Sequence, residues 1–94
     1  MIECTIRYYF ESPQGRIVLL ERNVKFPAVP FVGSQLSLKD EFLFVEHIHF
    51  CEDSQPILFV PNQSLKSDSE IDQAIEQKVV CGWRVESDTR RKIT

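Results

Sequence analysis

Ninety-four residues with 43% hydrophobic and 27% charged side chains are ordinary globular material, too apolar for disorder and without an apolar run long enough to cross a membrane. A chain of this size can bury about 65% of its unfolded surface, so one domain can hold a core without staples. The formal charge of −3 is a poor balance for nucleic-acid binding, which normally shows a basic surface. That charge is polarised: Asp40 to Glu76 holds nine acids and one base, residues 1–39 five bases and three acids, and residues 77–94 five bases and two acids. Cys4, Cys51 and Cys81 are odd in number, widely spaced and free of any Cys-x-x-Cys, which speaks against a disulfide scaffold or a structural zinc site. Reduced thiols are expected. With no basic segment followed by an apolar stretch at the start, the expected compartment is cytoplasmic.

In the first run Ile2, Cys4, Ile6, Tyr8 and Phe10 point one way and Glu3, Thr5, Arg7, Tyr9 and Glu11 the other, a strand pattern. Pro13-Gln14-Gly15 reads as a three-residue hairpin loop with Gly15 left-handed, so Ser12 faces Arg16 and every later pair follows. Phe10 then meets Val18, Tyr8 meets Leu20, Cys4 meets Val24 and Ile2 meets Phe26. On the other face Arg7 meets Glu21 and Glu3 meets Lys25, opposite charges across the ladder.

Phe26 to Gly33 is an apolar connection whose prolines, Pro27 and Pro30, cannot donate to a central ladder, with Gly33 restarting it. Leu36 and Leu38 leave room for one additional short strand beyond the main order. It is followed by a polar turn at Lys39-Asp40-Glu41 and a strand over Phe42 to Phe50. A hairpin across Glu52-Asp53-Ser54-Gln55 sets Phe50 beside Ile57 and Ile48 beside Phe59. Ser67 followed by Glu70 matches a capping box, and Ile71, Ala74, Ile75 and Val79 form a helical stripe that Gly82 can stop. Val85 belongs to a closing strand with Trp83.

The order ββββαβ predicts a mainly β fold: a small, partly open SH3-like barrel of about five antiparallel strands with one short helix before the last. Residues 1–86 are expected to form this single domain, and residues 87–94 a frayed polar, basic tail. Tyr8, Phe10, Phe26, Phe42, Phe44, Phe50, Phe59 and Trp83 are assigned mostly to the core.

No glycine-rich loop, nucleophile elbow or oriented Cys/His pair marks a catalytic site, so the expectation is a non-enzymatic module without cofactor. Tyr9, Ile17 and Leu19 share the charged face of the hairpin. Together with Val29, Phe31 and Val32 of the proline loop they form the expected contact surface for a protein partner or a second copy of the chain, unless the helix stripe covers them. The alternative is a single-stranded nucleic-acid binder using Tyr9 with Arg7, Arg16 and Arg22. A third class is a metal site at His47, His49 and Cys51, which alternation places on one strand face. The basic tail residues Arg90, Arg91 and Lys92 are read as solubilising.

Overall fold

The opening alternation forms two long strands, β1 (Ile2–Glu11) and β2 (Arg16–Phe26). Their loop closes as its residues dictate. Ser12 N–H donates to Arg16 O at 3.1 Å, Gly15 N–H donates to Ser12 O at 3.0 Å, and Gly15 takes φ 86°, which a Cβ would strain. Further along, the Thr5 hydroxyl donates to Asn23 Oδ1 at 3.0 Å. The same offset that sets Ser12 against Arg16 sets Thr5 against Asn23.

This computed structural model describes residues 1–39 and 41–90. The remaining elements are β3 (Gln35–Ser37), β4 (Phe42–Phe44), β5 (His47–His49), β6 (Ile57–Phe59), β7 (Gln63–Ser64), α1 (Asp68–Val80) and β8 (Arg84–Arg90). Among the described residues strand outnumbers helix about threefold, 47% to 15%, a mainly β fold. The hydrogen-bonded order is β5-β6-β1-β2-β8 with β7 also on β1, while β3 and β4 form a separate ribbon.

The sheet is mixed and not the antiparallel set expected. β1 pairs in parallel with β6, Thr5 opposite Ile57 and Arg7 opposite Phe59, and again in parallel with β7, Phe10 opposite Gln63. Among the described residues no closed barrel is found. The strand expected over Phe42 to Phe50 is instead two short ones that part at Val45-Glu46, where Val45 N–H turns to Ser34 O and Glu46 N–H to Phe59 O. The β5–β6 register differs by one residue, with Ile48 opposite Leu58 and His49 opposite Ile57. The expected Lys39-Asp40-Glu41 turn is closed by Leu38 N–H to Glu41 O; Asp40 itself lies outside the described residues.

Two compact units divide the chain, each holding part of β1 and β2. In the first, residues 1–7 and 22–61, the core is Cys4, Ile6, Leu36, Leu43, Val45, Leu58 and Val60. The Thr5 hydroxyl, Asn23 and the Gln55 amide form a hydrogen-bonded triangle there, Gln55 donating to both. Burial pushes the Cys4 thiol above its usual range. In the second, residues 8–21 and 62–94, Tyr8, Phe10, Val18, Leu20, Ile71 and Trp83 are buried. The Tyr8 ring meets Phe10 and Trp83 edge-on, centroids 5.3 and 4.9 Å apart.

α1 is fixed at both ends by its sequence. Ser67 Oγ accepts from Glu70 N at 3.2 Å, while the Glu70 carboxylate reaches Lys66 N at 2.9 Å, one residue before the position of an ideal capping box. At the other end Gly82, φ 96°, follows the cap residue Cys81. Gly82 N–H donates to Val79 O and Trp83 N–H to Lys78 O, a Schellman closure.

β8 extends to Arg90, past the boundary expected for a frayed tail, and pairs with β2 from Arg16–Arg90 to Glu21–Arg84, with a bulge after Leu19. Its polar residues are tied down by charge. Arg16 grips Asp88 through Nε at 3.0 Å and Nη2 at 2.7 Å and reaches Asp72 through Nη1 at 2.7 Å, while Arg90 pairs with Asp68. The Ser12 hydroxyl also donates to Asp68 at 2.7 Å. Hydrogen bonds from Arg90 and then Ser12 hold the Asp68 carboxyl below the usual range, and Arg16 does the same for Asp88. The expected tail residues Arg91 and Lys92 lie outside the described residues.

Two outcomes are expected. Ser67→Ala removes the helix cap and lowers stability by about 1 kcal/mol in urea unfolding. Because both carboxyls titrate lower when folded, their stabilisation is complete above the ordinary aspartate range and drains away as pH falls through the folded values. Asp88→Asn therefore flattens the acid side of a stability–pH profile, and an unchanged profile would show the network to be energetically idle.

Candidate functional site

The expected contact surface falls into two parts, one in each unit. In the second unit Tyr9, Ile17 and Leu19 are half-buried. Lys78 Nζ of α1 lies 5.7 Å from the Tyr8 ring centre and 5.8 Å from that of Trp83, so the helix covers the Tyr8 face and not the face of Tyr9. The stripe is narrower than its pattern: Ile71 is buried, Ala74 and Ile75 half-buried, and Val79 exposed. Ile17 stands opposite Thr89 and Leu19 opposite Ser87, so each apolar residue has a hydroxyl neighbour on β8. This face is mixed rather than greasy.

In the first unit Val29 is half-buried, while Phe31 and Val32 are 75% and 58% exposed. They occupy a turn in which Ser34 N–H donates to Phe31 O at 3.0 Å, Phe31 N–H donates to Ser34 Oγ at 3.1 Å, and Gly33 takes φ 91°. Gly33 N–H then donates to Val45 O at 2.7 Å and Val45 N–H to Ser34 O at 3.0 Å, so the turn runs straight into the β3–β4 ribbon. Along β4, Leu43 is buried opposite Leu36, and Phe42 and Phe44 on the other face are 68% and 55% exposed. Their cross-strand partners are Ser37 and Gln35.

Phe42 and Phe44 were expected in the core, as was Phe50, which is also exposed; Phe26 and Phe59 are half-buried. Alternation alone could not settle this. The run Phe42-Leu43-Phe44-Val45 is apolar on both faces, and either pair could have turned inward.

The outer face of β5, β6 and β1 carries a row in which Phe59 stands between His47 and Arg7. The His47 ring is 5.6 Å from that of Phe59, tilted at 53°, and the Arg7 guanidinium is 5.7 Å from it on the β1 side. His47 and His49 are both exposed, whereas Cys51 is half-buried beyond the end of β5. Among the described residues no three His, Cys, Asp or Glu side chains are placed to share a metal ion, so His47, His49 and Cys51 do not form the three-ligand set. No disulfide joins Cys4, Cys51 and Cys81. Of the cations weighed for nucleic acid, Arg16 is committed to Asp88 and Asp72, and Nη1 of Arg22 is buried.

A hollow of about 220 Å³ is lined by Glu11, Ser12, Pro13, Ser64 and Leu65. It is smaller than the roughly 300–1,000 Å³ of typical ligand pockets, and the Ser12 hydroxyl on its wall is already engaged with Asp68.

Leu19→Glu replaces a half-buried side chain on the helix-free face and should cost about 1 kcal/mol in chemical denaturation; a loss of several kcal/mol would show that face to be core. Compared with known proteins, the chain matches no family model, no curated protein and no solved structure.

Proposed function

We propose that this chain is a non-enzymatic protein-binding module that docks through the outward face of the β3–β4 ribbon and its adjoining turn. The observation that carries the reading is the exposure of Phe42 and Phe44 on a strand whose intervening Leu43 is buried. Burying one such ring on a partner is worth about 1.5–3 kcal/mol, and Phe31 and Val32 extend the same surface chemistry. Gln35 and Ser37, on the same face, supply polar neighbours of the kind found at interface rims. The partner is another protein or a second copy of the chain. Tyr9, Ile17, Leu19 and Val29 are half-buried and contribute less area. A small SH3-like barrel in the cytoplasm is the setting inferred from the sequence.

A second reading, single-stranded nucleic-acid binding, is favoured by the Arg7–Phe59–His47 row, since a base can stack on such a platform. It is opposed by the commitment of Arg16 to carboxylates and by the net negative charge. Salt-dependent retention on immobilised oligonucleotide would put it first.

The test is a double substitution, Phe42→Thr with Phe44→Thr, which keeps strand propensity while removing the rings. Stability should change by less than about 1 kcal/mol. Self-association by analytical ultracentrifugation, or capture of a specific partner from the native host, should be lost in the variant. A wild-type chain that stays monomeric and captures nothing beyond what the variant captures would overturn the proposal.

A further inference from the structure

We propose that His47 and His49 form a two-imidazole site for a divalent transition-metal ion on the outer face of β5. The two residues alternate to the same face, with Cα atoms about 6.6 Å apart at strand rise. An imidazole pair so spaced can close on one ion at the roughly 2.0–2.1 Å typical of zinc–nitrogen bonds. Ile48 between them stands opposite buried Leu58 and is itself half-buried, which fixes the rotation of the strand and turns both imidazoles outward.

β5 is the terminal strand in the pairing order, and both histidines are exposed. His47 is additionally steadied by the Phe59 ring at 5.6 Å, so one ligand gives up less rotational freedom on binding. The cation that shares this row, Arg7, belongs to β1, with β6 between it and the histidines.

Cys51 does not complete the set, and no third acidic or thiol ligand joins it among the described residues. The site therefore offers two protein nitrogens and leaves the other positions to water. Neutral imidazole donors select zinc, nickel or copper over magnesium or calcium. Since α1 and both cores are built from other residues, the ion is an exchangeable ligand and not a folding staple.

Zinc alone is the probe. The untagged full chain, stripped with chelator, is titrated by calorimetry and followed through the imidazole NMR signals. Saturable equimolar uptake is expected, with the signals of both His47 and His49 moving. His47→Ala or His49→Ala should each abolish uptake while leaving the circular dichroism spectrum and thermal midpoint of the apo chain unchanged, and Cys51→Ser should leave uptake intact. Absence of saturable uptake, uptake that survives the double His47→Ala/His49→Ala change, or its loss on Cys51→Ser would each overturn the proposal.

Discussion

The closure of the first hairpin is the constraint on which the rest of the structure depends. One backbone bond from Ser12 to Arg16, made possible by a left-handed Gly15, fixes which side chains of β1 and β2 face inward. β1 then serves as the hub. It accepts β2 on one edge and, successively, β6 and β7 on the other. A slip of one residue would send Ile6, Tyr8 and Phe10 to water and bring Arg7 and Glu11 into the cores, at a cost far beyond what a chain of this size can absorb.

What could be read in advance follows from the range of the interactions. The hairpin and the helix are local: a glycine-ended loop, a capping serine and a terminal glycine each act within a few residues, and all three behave as their chemistry requires. The parallel pairing of β1 with β6 and β7 joins segments about fifty residues apart. No local signal encodes it, because either edge of β1 carries the same backbone donors and acceptors. The register of β5 on β6 was ambiguous for another reason, since Ile57, Leu58, Phe59 and Val60 are apolar at both parities. The polar end of the chain is misleading, because the backbone ladder to β2 and the ion pairs of Arg16 and Arg90, and not apolar burial, hold β8 in place.

The candidate surface was legible only in part. Phe31 and Val32 stood out because prolines and a glycine flank them, and they are exposed. The stronger half, Phe42 and Phe44, was hidden inside an apolar run in which Leu43 and Val45 competed for the same interior, and the branched aliphatics took it. Tyr9, Ile17 and Leu19 are half-buried, and hydroxyls across the ladder dilute Ile17 and Leu19.

β8 closes one side of the pairing order and presents seven exposed residues, Arg-Val-Glu-Ser-Asp-Thr-Arg. Read against its own reverse, that string is nearly palindromic in sign. Were two molecules to meet edge to edge about Ser87, guanidinium would confront guanidinium at Arg84 and Arg90, and carboxylate would confront carboxylate at Glu86 and Asp88. Asp88 and Arg90, which tie β8 to Arg16 and Asp68 of its own chain, thus join Arg84 and Glu86 in setting the strand against its twin, a guard against runaway sheet growth.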